Sequence, residues 1–182
     1  MNLTKGNLLI AEPSILNDKE FNRSVIYLTE HDDNGCIGFI LNKPTEFILS
    51  DLIPEINSDF TIYNGGPVEQ ENLYFIHKIP HLIPDSIKID ENYYWGGDFN
   101  ILTKLLDEKS LEPGDIRFFL GYSGWSLSQL KEELNENTWV ISKNKYPNLL
   151  TIKSDIIWKN HLMSLGGEYQ IWANAPENPS LN

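Results

Sequence analysis

Apolar residues in this chain come in short blocks bounded by Gly, Pro, Asn or Asp, and only a few blocks keep a helical period. "GNLLIAEPS" reads as a buried strand ended by Pro13. "SVIYLTEH" (Ser24 to His31) and "GCIGFILN" (Gly35 to Asn42) read as two strands. "DDNG" between them supplies turn chemistry, so an antiparallel hairpin spans Ser24 to Asn42, with Asn34-Gly35 at its turn. Gly38 marks a bulge or a close backbone approach. "SDLIPEI" carries a single helical turn, "FTIYNGGPV" a strand and a sharp corner, and "NLYFIH" a further strand. "SIKI" and "NYYWGG" are short strands.

Helical spacing appears three times. Ile101, Leu102, Leu105 and Leu106 follow an Asp98 cap. Leu127, Leu130 and Leu134 follow Ser126 and Gln129, which stand in capping-box relation. "SDIIWKNHLMSLGG" reads as a capped helix closed by glycines, with Trp158, Leu162 and Leu165 on one stripe and His161 beside it. "DIRFFLGYS" is apolar throughout, as a strand buried on both faces would be, and "WVIS" is another strand. Mixed strands and helices with a tight hairpin and no repeat or linker give an α+β fold, one domain over 1–182, with a mixed, mostly antiparallel sheet flanked by helices. A mobile tail is expected over 173–182.

Composition narrows the picture. At 182 residues and 41% apolar content, one core needs no disulfide, and Cys36 is the only cysteine. A lone thiol favours the cytoplasm, as does an N-terminal apolar run that stops at Glu12 and Pro13. No run of about 18 apolar residues is present, so no membrane association is expected. A net charge of -12 argues against direct nucleic-acid binding.

"GNLLIAEPSI", "FNRSVIYLTEHDDNGCIGFILNKP", "NGGPV" and "FLGYSGWSLSQLKEEL" with Trp139 beyond it together resemble the YqgE/AlgH family of small bacterial proteins, from about Gly6 to the C-terminal helix. The resemblance implies an α+β domain whose strands curl into a partly closed, barrel-like sheet. It implies little about activity: the family's "transcriptional regulator" label comes from genetic association of one member. Family members commonly carry Ala at Ser123, Gly at Ser128 and an acidic residue at Lys131, so Ser123 is no shared nucleophile.

Candidate chemistry follows from the corners. Ser123 in Gly-Tyr-Ser-Gly-Trp resembles a nucleophile elbow, yet that motif needs glycine where Trp125 stands. The glycines at 121 and 124 read instead as permitting a positive φ or close packing at a sharp bend between strand and helix. His31, beside Glu30 and Asp32, reads first as a strand-end His hydrogen-bonded to the hairpin loop, with a general base or a ligand contact as the alternatives. Arg23, Asn42, Lys43 and Asn64 flank strand ends, where loops gather polar groups. Gly65-Gly66 reads as an ordinary Gly-Pro turn, with a backbone nest for an anion as the alternative, which no following P-loop lysine supports. His77, His81 and Cys36 lack the spacing of a zinc site. Glu132 and Glu133 fall on a solvated helix face, and Gln129 serves its cap.

The reading is a non-catalytic binding or regulatory domain. The GYSGW, NKP and NGGPV corners converge on a shallow pocket or partner surface made by Arg23, His31, Asn42, Lys43, Gly65, Gly66, Tyr122, Gly124, Trp125 and Gln129. A small molecule or a protein partner is expected there, with no cofactor and no metal. The alternatives are a hydrolase using Ser123 or a His31-assisted water, and a DNA-binding regulator.

Overall fold

The computed structural model describes residues 3–13, 15 and 18–175. In chain order the elements are β1 (Asn7–Ala11), β2 (Val25–Asp32), β3 (Gly35–Ile40), β4 (Pro44–Ile48), α1 (Leu49–Leu52), β5 (Thr61–Asn64), β6 (Val68–His77), β7 (Ile87–Lys88), β8 (Tyr94–Trp95), α2 (Phe99–Asp107), β9 (Ile116–Trp125), α3 (Leu127–Asn135), β10 (Trp139–Lys143), a 3-10 turn (Leu149–Thr151), α4 (Ser154–Leu165) and α5 (Tyr169–Ala173). Strand order is β10-β1-β2-β3-β9-β6-β8-β7, with β5 on β9 and β4 on β5. Every pairing is antiparallel except β5 with β9. The α+β class and the mixed, mostly antiparallel sheet are therefore observed. Among the described residues β10 and β7 do not pair, so the sheet stays open rather than closing toward a barrel.

Strand β9 is the hub, and its continuous apolarity has a direct cause. Ile116 and Phe118 pack into a core with Leu102 and Leu106 of α2, while Phe119 faces the opposite core with Leu130 of α3 and Ile157 and Leu162 of α4. Alternating side chains reach opposite faces of a strand, so a strand covered by helices on both faces is apolar wherever a buried side chain has no internal hydrogen-bond partner.

Within that strand Arg117 is 6% exposed. Its Nη1 donates to the Leu41 carbonyl at 2.8 Å, and its Nη2 to the carbonyls of Leu150 at 2.5 Å and Ile152 at 3.3 Å. The guanidinium lies 4.2 Å from the Tyr63 ring centroid. Among the described residues no carboxylate pairs with it. Arg117 thus acts as a cross-brace between the end of β3, β9 and the 3-10 turn.

The glycine corners form a crossover. Phe118 pairs with Ile62 of β5 and also with Phe75 of β6, so those two strands lie on opposite edges of β9. Only Gly65, Gly66 and Pro67 connect them, and they must pass across β9 near Gly121 and Tyr122. A β-carbon at Gly65 would overlap the Gly121 carbonyl oxygen, and one at Gly66 would overlap Tyr122 backbone and Ser123 Oγ. One at Gly121, whose φ is +67°, would lie 2.6 Å from the Gly66 oxygen and 2.8 Å from the Val68 oxygen. Two backbones cross with no side chain between them, which only glycine permits.

This corrects the expected strand-to-helix bend. Residues 121–125 remain in β9, Gly124 has no positive φ, and the helix starts only after Ser126, which accepts from the Gln129 amide at 3.2 Å. Half of the expected capping box is present, because the Gln129 side chain instead donates to Glu133 at 2.9 Å. Other departures are local. The hairpin turns at Asp33-Asn34, and Gly38 faces Leu28 beside a register shift, with its missing side chain leaving room for Ile26. β4 and α5 were not expected, and α4 is capped by Lys153 without a side-chain bond. On α4, Trp158 and His161 are buried with Leu162, whereas Leu165 is 44% exposed. The tail expected over 173–182 begins inside α5, where Ala173 is buried; 176–182 lie outside the described residues.

Two histidines are held neutral by burial. His77 accepts from the Ile79 amide on Nδ1 at 3.2 Å and meets the Gly96 carbonyl through Nε2 at 3.1 Å, which fixes the Nε2–H tautomer. Burial pushes its pKa down to about 4 despite that carbonyl. Burial, then Lys145, pushes His161 down to about 4 as well. With folded values below the unfolded value, the unfolded chain binds protons first as pH falls. Stability is fully present above about pH 6.5 and declines toward pH 4, by up to ~1.4 kcal/mol per pH unit for each ring. Urea titrations at several pH values should show a shallower decline for His161→Phe than for the wild type. Equal slopes would mean that His161 carries no such linkage.

Candidate functional site

The crossover absorbs the serine. Ser123 is fully buried, and its Oγ donates to the Gly65 carbonyl at 3.1 Å. A nucleophile needs an open approach and a base on its hydroxyl; this hydroxyl instead pins one crossing chain to the other. The nest reading of Gly65-Gly66 is overturned too. The Gly65 amide donates to the Leu120 carbonyl at 2.8 Å and the Gly66 amide to Asn64 Oδ1 at 3.0 Å, so both donors are engaged and both residues are buried. The corners do meet: the Asn64 amide donates to the Lys43 carbonyl at 2.8 Å and the Ile40 amide to the Gly65 carbonyl at 3.0 Å. They meet as packed backbone; of the residues expected to share one pocket, Arg23, Asn42 and Lys43 line one cleft and Tyr122, Gly124 and Trp125 another, while His31, Gly65, Gly66 and Gln129 line neither.

The smaller cleft, about 280 Å³, is lined by Tyr122, Gly124, Trp125 and Cys36, with Glu30 and Asp32 at its rim. His31 is paired across the hairpin with Cys36, its Nδ1 3.0 Å from Sγ. Burial, then Asp32, pushes the thiol above its usual value, so the Cys-His pair holds a neutral thiol rather than a thiolate. Trp125 is a core residue, 6% exposed, rather than an open wall.

Its indole exposes a residue misplaced by helix periodicity. Glu133 Oε2 accepts from Trp125 Nε1 at 2.8 Å and from Trp139 Nε1 at 2.7 Å, while Oε1 accepts from Gln129. Glu133 therefore clamps α3 to β9 and β10 instead of lying on a solvated face, and Gln129 belongs to that clamp. Glu133→Ala, which orphans two indole N–H groups, should cost about 2–4 kcal/mol. Glu133→Gln keeps a carbonyl acceptor and should cost less than half as much by urea denaturation. An alanine variant as stable as the wild type would refute the clamp.

The larger cleft, about 560 Å³, gathers three expected residues, Arg23, Asn42 and Lys43. Lys19 and Asn22 join them from the segment before β2, Ser154, Asp155, Trp158 and Lys159 from the first turns of α4, and Ala173 from α5. Arg23 sits at φ +57°, a left-handed conformation that disfavours a side chain by roughly 1–2 kcal/mol. Asn42 holds it there: Oδ1 accepts from the Val25 amide and Nδ2 donates to the Arg23 carbonyl, both at 2.8 Å. The guanidinium lies 5.0 Å over the Trp158 ring and its Nη2 donates to the Ala175 carbonyl at 2.8 Å. Trp158 is anchored in turn through Nε1 to the Ala11 carbonyl at 2.8 Å. Lys43 Nζ donates to the carbonyls of Glu20 at 2.6 Å and Lys19 at 3.2 Å, tying the first wall to the second. Lys19, Ser154, Trp158 and Lys159 were not singled out by sequence for this site. Nothing local marks them, because they meet only when α4 packs beside the β3–β4 turn.

An open, mixed sheet with helices on both faces, crossed at its hub by a Gly-Gly-Pro segment, defines a class of small α+β proteins. The chain belongs to the AlgH-like family, whose sequence model matches residues 8–170. It is 41% identical over 182 residues to a UPF0301 protein of Cytophaga hutchinsonii, covering 99% of this chain and 100% of that one. It is 40% identical over 181 residues to a UPF0301 protein of Bacteroides fragilis, covering 98% and 91%. Its fold is similar to the crystal structure of a Corynebacterium diphtheriae protein, with a TM-score of 0.78 at 18% identity, covering 96% of this chain and 94% of that one. The solution structure of the AlgH protein from Pseudomonas aeruginosa gives a TM-score of 0.73 at 22% identity, covering 97% and 98%.

Proposed function

We propose that this protein is a non-catalytic binding domain with regulatory use, and that its site is the larger cleft. The observation that carries the reading is Arg23. A left-handed arginine, fixed by the Asn42 amide and stacked over Trp158, is strain retained at the lip of a cleft rather than removed by glycine. Concave sites with a few convergent polar groups are the usual form of small-molecule pockets, and Arg23, Asn42 and Lys43 converge here. Lys43 and Asn42 contribute rigidity as well as polarity, which limits the ordering needed on binding.

The hydrolase alternative loses its serine branch to the burial of Ser123. Direct DNA binding is disfavoured by the net charge of -12 and by α3 and α4 being separated by β10 and the 3-10 turn instead of the short turn of a helix-turn-helix. A regulatory label is compatible with ligand sensing. A cytoplasmic setting is part of this reading, in keeping with a chain whose single cysteine leaves no intrachain disulfide to form.

The test is a nitrogen-15 NMR screen of the full chain against small-molecule fractions of a bacterial extract. Saturable shifts confined to residues 19–23, 42–44 and 154–159 are expected. Shifts absent there, or confined to the cleft beside Cys36, would overturn the assignment.

A further inference from the structure

Resting on that reading, we propose that the larger cleft takes a small ligand through a multiply charged tetrahedral anion, a free or esterified phosphate. The chain carries 14 basic against 26 acidic residues, so cations should be outnumbered at any site chosen at random. This cleft inverts the ratio. Among the described residues, Lys19, Arg23, Lys43 and Lys159 line it against one carboxylate, Asp155. Glu20 lies close by, but its carboxylate is turned toward Asn64 Nδ2 at 3.4 Å and does not line the cleft.

The geometry of the donors selects the class of anion. A planar carboxylate is best matched by the two parallel N–H groups of an arginine fork. Arg23 already directs Nη2 to the Ala175 carbonyl and lays its guanidinium over Trp158. The other cations are ammonium groups, compact point charges without a planar preference; Lys19 comes from the segment before β2, Lys159 from α4, and Lys43 from the β3–β4 turn, where its Nζ donates to the Glu20 and Lys19 carbonyls and adds charge to the wall. Positive charge approaching from three walls fits a tetrahedral dianion. The Ser154 hydroxyl and the Asn22 amide add neutral donors on two of those walls.

Inorganic phosphate, titrated into the full chain against sodium chloride of matched ionic strength, tests the proposal by nitrogen-15 NMR. Saturable shifts at residues 19–23, 43 and 154–159 are expected with phosphate alone. Lys19→Glu with Lys159→Glu, both exposed positions, should weaken phosphate at least about tenfold while leaving the spectrum of the sheet core in place. Phosphate shifts matched by chloride, an affinity unchanged in the double variant, or tighter binding of citrate than of phosphate would each overturn the phosphate assignment. If the extract screen still finds a ligand in this cleft, the binding reading stands without the phosphate; if it finds none, both fall.

Discussion

Gly66→Ala should unfold at least about 4 kcal/mol more easily than the wild type, or fail to accumulate folded, because the added methyl has nowhere to go. Gly66 has a φ of +148°, and its β-carbon would occupy the space of the Tyr122 carbonyl and of Ser123 Oγ. The obstacle is backbone in the central strand of the sheet, which cannot swing aside as a surface side chain does. Gly96→Ala is the control. Its φ is +64°, but no atom lies within 4 Å of the built carbon, so only left-handed strain applies, about 1 kcal/mol. Urea denaturation of the two variants separates steric overlap from dihedral preference; similar losses would show that the crossing chains can move apart.

Arg117→Met is the second large effect. It removes a buried charge, which alone would relieve desolvation, since burial holds this guanidinium below its usual pKa. It also removes the donors to the carbonyls of Leu41, Leu150 and Ile152 and the stacking on Tyr63. Leu41 and Leu150 are buried, and each orphaned acceptor costs about 1–3 kcal/mol. The donors should win, giving a net loss of about 3–5 kcal/mol. Arg117→Lys should fall between the two, because one ammonium cannot reach carbonyls on both sides of the strand. A methionine variant more stable than the wild type would show that desolvation outweighs the braces.

These two sites show where sequence reading reaches and where it stops. The apolar run around Phe118 and Phe119 was legible as a central strand because burial on both faces leaves a signature in consecutive residues. β4 was not, because "PTEFI" opens with proline and stays largely exposed at the sheet edge, where no alternation is imposed. α5 follows two glycines and spans only five residues, too few for a period to show. Gly65, Gly66 and Gly121 were recognised as special, and the positive φ and close packing expected at Gly121 are present, but they serve a chain crossing instead of a strand-to-helix bend. A glycine that opens a bend and a glycine that lets another chain pass look identical in one dimension. Glu133 was misplaced for a related reason: helix periodicity assigns a face, and only the packing of Trp125 and Trp139 reveals what that face meets. Arg117 did leave a signal, a lone charge inside an otherwise apolar strand. At the candidate site Arg23, Asn42 and Lys43 were legible as polar residues at strand ends. The α4 wall was not, since more than a hundred residues of chain separate it from them.

The crossover gives the glycine-rich corners a mechanical task and leaves the cation-lined cleft as the proposed ligand site. Native-state hydrogen exchange across a denaturant series tests that division most directly. The Gly65 amide, bonded to Leu120, and the Ile40 amide, bonded to Gly65, should exchange only through global unfolding, with the same denaturant dependence as the core of β9. Rapid, denaturant-independent exchange at both amides, as in a mobile binding loop, would contradict it.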